Sequence, residues 1–195
     1  MTQKLSTEER KKEIISAALK LIDQEGFSKL TIRKIAEKNQ ISEAAVYRHF
    51  NSKKEIMEHL IDYIFQNNPV ITILQDKKDN LFSLLYKAME KQLQWIEENP
   101  EISGVLFQEE IFLEYPEIRD KFNAYRKKKE KTLIELLSSA QNRGLINKDI
   151  DPQTFALLYM GAIRVSVLRW RSEECPYSLP EQTGSVTGAL FKLLR

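Results

Sequence analysis

The chain has 195 residues, enough for one sizeable core or for a small domain beside a larger one. Hydrophobic residues at 42% and charged residues at 30%, with only six glycines and six prolines, exclude a disordered or loop-dominated chain and fit a helix-rich one. The formal charge of +2 is unevenly spread: residues 1–54 hold 12 Lys and Arg against 7 Asp and Glu, and the rest hold 18 against 21.

A basic end is what phosphate neutralisation needs, although lysine-rich helix surfaces also serve solubility. The single cysteine, Cys175, excludes an internal disulfide framework and fits a reducing cytosol. Met1-Thr2-Gln3-Lys4 leads into charged residues with no apolar run behind them, so no secretory signal is expected. The longest apolar run, Phe155 to Leu168, is interrupted by Arg164 and is too short to span a bilayer. The expected location is the cytoplasm, away from any membrane.

Ser6 and Glu9 form a capping-box pattern, and Ile14, Ile15, Ala18, Leu21 and Ile22 follow at helical spacing up to Gly26. Phe27 and Leu30 lie in the next connection. Thr31 then caps a short helix with Ile32, Ile35 and Ala36 on one face, ending at Asn39. Ser42 caps another, with Val46 and Phe50 on its buried side and Glu43, Ala44, Tyr47 and Arg48 opposite. Two helices of about eight residues joined by Asn39-Gln40-Ile41 are what a helix-turn-helix requires. Asn39 and Gln40 must supply a left-handed turn there; a left-handed Gln40 costs roughly 1 kcal/mol, which domain packing absorbs.

Ser52 and Glu55 repeat the capping box ahead of Ile56, Leu60 and Ile64, and Lys53 and Lys54 sit in that helix's first turn. Lysines are electrostatically misplaced at a positive helix end unless an anion is expected, so they read as phosphate contacts; plain solvated lysines are the alternative. Asn67-Asn68-Pro69 ends this helix, and a connector runs to Lys78 with Val70 to Leu74 available to pack down. Asp79 or Asn80 caps the next helix, whose face carries Leu81, Leu84, Leu85, Ala88, Gln92, Trp95 and Ile96 until Asn99-Pro100. One shorter helix is expected through Val105, Phe107 and Phe112.

Pro116 opens a long helix with Ile118, Phe122, Tyr125, Leu133, Leu136 and Leu137 inward, closing near Gly144; its Arg126-Lys127-Lys128-Lys129 run reads as a solvated face. Asp151-Pro152 starts a helix that is apolar nearly all round, so it must be covered by its own domain and by a second copy of the chain. The last helix starts at Ser178 to Pro180, and Gly184 and Gly188 lie four apart in it. Two glycines on one face suit close helix approach. Ala162, Ser166, Gly184, Gly188 and Phe191 are therefore the expected dimer seam.

Thr31, Arg33, Ile35-Ala36, Ile41-Ser42, Tyr47, His49-Phe50 and Lys53, in this order and spacing, resemble the signature of the tetracycline-repressor (TetR) family of bacterial transcription regulators. The resemblance covers roughly residues 8–60; Gln40 stands where the family has glycine and Asn39 where it has alanine. It implies an all-α fold: an N-terminal three-helix DNA-binding domain over 1–54 and a larger helical effector-binding and dimerisation domain over 55–195, joined through the helix 52–66. It also implies that Tyr47, His49, Lys53 and the Thr31 hydroxyl hold phosphates.

By position, Ser42, Glu43, Ala44, Ala45, Tyr47 and Arg48 face DNA. Glu43 can accept from a cytosine amino group, Ala44 and Ala45 can meet a thymine methyl, and Arg33 can reach a guanine or a phosphate. Phosphate contacts set register and affinity, not sequence. Of the aromatic residues most belong to the core, but Trp95, Phe107, Phe112, Phe122, Tyr125 and Tyr159 are candidate effector contacts. Arg164 joins them: it needs a carboxylate within the protein, a polar group across the dimer, or an anionic effector.

No catalytic constellation is present. The only histidines, His49 and His59, form no ligand cluster with Cys175, and no glycine-rich phosphate loop occurs, so no enzyme, metal or cofactor is expected. The expected function is a homodimeric repressor released from a palindromic DNA operator by a small-molecule effector. The alternative is a nucleoid or cell-division DNA-binding factor of the same fold that takes no effector.

Overall fold

The structure, a computed structural model, describes residues 5–76, 79–107 and 109–195; Met1 to Lys4 and the Lys78 end of the expected connector lie outside them. All regular structure in the described residues is helical. In chain order the helices are α1 (Thr7–Glu25), α2 (Ile32–Lys38), α3 (Glu43–Tyr47), α4 (Lys53–Gln66), α5 (Val70–Leu74), α6 (Leu81–Glu98), α7 (Pro100–Leu106), α8 (Glu109–Glu114), α9 (Pro116–Asn142), α10 (Pro152–Ser172) and α11 (Thr183–Phe191). They gather into two compact units, Met1–Asn67 with Pro100–Asn123, and Asn68–Asn99 with Ala124–Arg195.

In the first unit α1 begins as its sequence predicts. Glu9 N–H donates to Ser6 Oγ at 3.2 Å, and Ser6 N–H donates back to the Glu9 carboxylate at 2.8 Å. Ile14, Ala18 and Ile22 are fully buried on its inner face, and it packs against α2, α4 and α7. The approach of α7 is close because Gly104 has no side chain: a Cβ there would lie 3.0 Å from the Asp23 Cα. The expected single helix through Val105 and Phe112 is two, α7 and α8.

The Ser52 box forms only by half. Glu55 N–H donates to Ser52 Oγ at 3.1 Å, but the Glu55 carboxylate accepts from Asn51 N–H at 2.6 Å and from Asn51 Nδ2 at 2.9 Å. Asn51 brings two donors, so it outcompetes the single N–H of Ser52, and holds the Glu55 carboxyl below its usual range.

In the second unit the connector is a short helix, α5, with Val70 and Leu74 buried. Asn80 is the cap of α6, accepting from Ser83 N–H at 3.0 Å. Asp151 caps α10, accepting from Thr154 N–H and Thr154 Oγ1 at 2.8 and 2.7 Å, with Pro152 at the first helical position. The inner row of α10 is Phe155, Ala156, Tyr159, Ile163, Val167 and Trp170. Tyr159 donates its hydroxyl to the Leu85 carbonyl at 2.6 Å, which fixes α10 on α6.

Candidate nucleic-acid interface

Thr31 Oγ1 accepts from Lys34 N–H at 3.2 Å and starts α2. At the other end Ile41 N–H donates to the Ala36 carbonyl at 3.0 Å and Gln40 N–H to the Glu37 carbonyl at 3.1 Å. That pair of bonds is a Schellman termination, and it places Gln40 alone in the left-handed region, at φ 55°. Asn39 stays right-handed at φ −91° and donates its side-chain amide to the Ile35 carbonyl at 2.8 Å. The turn is therefore built with glutamine in the place that glycine fills most cheaply.

Ser42 Oγ then accepts from Ala45 N–H at 3.1 Å, starting α3. The two helices are seven and five residues long, shorter than the sequence suggests. Val46 and Phe50 are buried and anchor the reading helix, with Phe50 edge-on to His59 at 5.4 Å. Ser42, Glu43, Ala44, Tyr47 and Arg48 are exposed, Tyr47 half so, while Ala45 and His49 are partly covered. Their outward polar side is a face that a major groove can take. His49 Nδ1 is buried with no hydrogen-bond partner.

Arg33 lies outward on α2 and pairs with Glu37 at 2.8 Å; both side chains are well exposed. Lys53 and Lys54 are less free than the sequence implies. Lys53 Nζ sits 4.0 Å over the Phe27 ring and 3.6 Å from Glu114, and Lys54 is paired with Glu117 and, at 3.9 Å, with Glu58. Glu117 raises the Lys54 pKa and has its own lowered in return. Tyr115 packs edge-on to Phe27 at 6.1 Å; burial, then a hydrogen bond with Glu114, pushes its phenol up to about 12. The corner between α8 and α9 thus supplies carboxylates to the two lysines that the sequence reading assigns to phosphate. Sequence spacing shows no sign of it, because the partners lie far apart along the chain.

The candidate effector contacts fall in two units. In the first, Phe122 lies 4.9 Å from Phe112 and 5.5 Å from Phe65, a residue that sequence reading does not single out; Phe107 is partly covered. In the second, Trp95 and Tyr125 are partly covered, and Tyr159 is fully buried, with its hydroxyl donating to Leu85 and its ring stacked on Phe155. Arg164 is exposed on the outer face of α10, one step off the buried row, beside Val165 and in line with Leu157 and Leu168.

That outer face is unusually apolar for one exposed to water: Leu157 is 67% exposed and Val165 63%. Ala162 and Ser166 are partly covered, Gly184 and Gly188 are exposed, and a Cβ at either glycine would meet nothing within 4 Å. Phe191 is partly used within the chain, edge-on to Phe82 at 5.0 Å.

The supposed solvated run on α9 contains an exception. Arg126, Lys127 and Lys128 are exposed, but the Lys129 ammonium is withdrawn from water and donates to Gln92 Oε1 at 2.9 Å. Desolvation pulls its pKa down to about 8. Among the described residues no group of three His, Cys, Asp or Glu is placed to hold a metal ion, and no helix is long and apolar enough to cross a membrane.

A capped helix-turn-helix with an outward polar reading face on a basic end defines a DNA-binding protein of the helix-turn-helix class. Residues 14–60 match the family described as bacterial regulatory proteins, tetR family, and residues 84–194 match the tetracyclin repressor-like C-terminal domain. The chain belongs to the TetR family of bacterial transcription regulators.

It is similar to the nucleoid occlusion factor SlmA of Vibrio cholerae serotype O1, 28% identical over 171 residues that span 86% of this chain and 87% of that one. Among solved structures it is similar to the fatty acid degradation regulator FadR from Bacillus halodurans, with TM-score 0.81, 20% identity and coverage of 100% of this chain and 99% of that one. It is also similar to the transcriptional regulator FadR from Bacillus subtilis in complex with stearoyl-CoA, with TM-score 0.80, 21% identity and coverage of 94% and 99%. At these identities the two structures speak for the fold.

Proposed function

We propose that the chain is a homodimeric repressor that binds a palindromic operator through residues 1–54 and leaves it when residues 55–195 take up a small-molecule effector. The observation that carries DNA reading is the exposure of Glu43, Ala44, Tyr47 and Arg48 on a helix held from behind by Val46 and Phe50. In this reading Glu43 and the alanines meet base edges, while Thr31, Ser42, Tyr47, Arg48, His49, Lys53 and Lys54 meet the backbone and Arg33 either. Two reading helices related by a two-fold axis would address half-sites about 34–36 Å apart or a multiple of that. The protein carries out no catalysis and works in the cytoplasm.

Glu43→Gln is expected to change preference at one base position, and Lys53→Gln to weaken all sequences alike and lower the salt slope by about one. A gel-shift series at several salt concentrations checks this; identical behaviour of the two variants would refute the division of roles. Gly188→Leu tests the dimer seam. Within the chain a Cβ at this position meets nothing within 4 Å, so the expected result in sedimentation is a shift from dimer to monomer; an unchanged dimer would remove Gly188 from the interface.

What supports an acyl-type effector is the likeness to a regulator solved with stearoyl-CoA. What supports a second reading, a nucleoid-associated factor without a small ligand, is the likeness to SlmA over most of both chains. Footprinting across a genome separates them: a few operators favour the repressor, and many dispersed sites favour the nucleoid factor.

A further inference from the structure

Two donor groups in the second unit converge on one acceptor. Lys129 Nζ, from α9, and Asn68 Nδ2, from the start of the unit, each lie 2.9 Å from Gln92 Oε1 on α6. Gln92 is only 4% exposed. The ammonium carries three N–H groups and the amide two, and between them they share that single oxygen. Asn68 Oδ1 is already committed, accepting from Val70 N–H at 3.1 Å. Among the described residues no carboxylate pairs with Lys129, although every exposed cation next to it in sequence can be solvated. A withdrawn ammonium held by a neutral amide oxygen is under-supplied with acceptors and uncompensated in charge.

We propose that Lys129 and Asn68 form the seat for a carboxylate, the head of a long-chain effector acid, with Gln92 Oε1 occupying that place until the ligand arrives. A carboxylate offers two oxygens, one for the ammonium and one for the amide, and a single negative charge that neutralises the single positive one. A phosphate would bring a second charge with nothing to balance it. The seat rests on the proposed reading that this part of the chain receives an acyl-type effector, from which the long chain is taken, and it names the polar end of that molecule. Gln92, once displaced, is free to turn its own amide N–H toward the bound oxygens.

The experiment titrates the full-length dimer with oleate, methyl oleate and stearoyl-CoA, for the wild type and for Lys129→Met and Lys129→Arg, following intrinsic tryptophan fluorescence, while a parallel gel shift follows operator release. The expected result is that oleate binds the wild type, binds Lys129→Met roughly tenfold to a hundredfold more weakly, the loss of one charge-assisted bond, and is partly restored by Lys129→Arg. Methyl oleate is expected to bind both proteins alike. Oleate binding unchanged by Lys129→Met, or tighter binding of stearoyl-CoA than of oleate with no dependence on Lys129, would overturn the seat. If oleate binds through Lys129 but the operator stays bound, the seat stands and the repressor reading fails; if no long-chain probe binds the wild type, the seat fails.

Discussion

Replacing Gly104 with valine is expected to destabilise the protein by about 1–3 kcal/mol, the range typical of overpacking. A Cβ at Gly104 would stand 2.6 Å from Asp23 Oδ1, 3.0 Å from Asp23 Cα and 3.2 Å from Asp23 Cβ. The carboxylate can swing aside; the backbone of α1 cannot, because Ile14, Ala18 and Ile22 lock that helix into the core. Either α1 and α7 move apart and forfeit packing along their length, or the backbone at Asp23 strains. Gly104→Ala should show the smaller part of the same loss, and Asp23→Ala added to it should recover only a fraction, since the clash with the main chain of α1 remains. The check is a urea midpoint that falls at unchanged slope. Because α1 also backs α2 and α4, operator affinity should fall with the midpoint and recover when temperature is lowered.

The parts of the fold legible in the sequence are those governed by local chemistry. Ser6 with Glu9, Thr31, Ser42, Asn80 and Asp151-Pro152 each mark a helix start where the structure has one, because a cap is decided within four residues. The same locality explains the one shifted box. The Ser52 and Glu55 pattern is right in spacing, yet Asn51 presents the carboxylate with two donors at once, and motif matching does not weigh such a competitor.

On α9 the periodicity fails because composition is allowed to overrule it. Lys129 lies on the row that continues from Ile118, Phe122 and Tyr125 to Leu133 and Leu137, so the helical period already turns it inward; the three exposed cations before it disguise this. Arg164, set among apolar neighbours, lies by contrast on the exposed face of its helix. The buried row of α10 passes through Ile163 and Val167, and the apolar residues beside Arg164 are themselves exposed. A helix that is apolar all round contains two faces with different fates, and only one of them is covered by its own chain. The carboxylates Glu114 and Glu117 on Lys53 and Lys54 lie beyond any local rule, since tertiary packing alone brings them together.

Lys129→Met is expected to make the protein more stable, by up to roughly 3 kcal/mol near neutral pH. The lysine pKa falls from 10.5 to about 8 through desolvation, so folding opposes the charged form. The sign follows from proton counting: between pH 8 and 10.5 the unfolded chain holds a proton here that the folded one has released, and stability rises with pH across that window. Below pH 8 both states are protonated and the full penalty is present; above 10.5 both are neutral and it is gone. Methionine keeps the length of the stem, removes the charge, and leaves Gln92 Oε1 with its Asn68 donor. The difference in stability between wild type and variant should therefore be constant below pH 8 and shrink toward zero by pH 10.5, whatever the other lysines and tyrosines do, since they titrate equally in both. Denaturant midpoints at several pH values check it. A difference that does not change with pH would mean that the Lys129 ammonium is solvated in the folded protein.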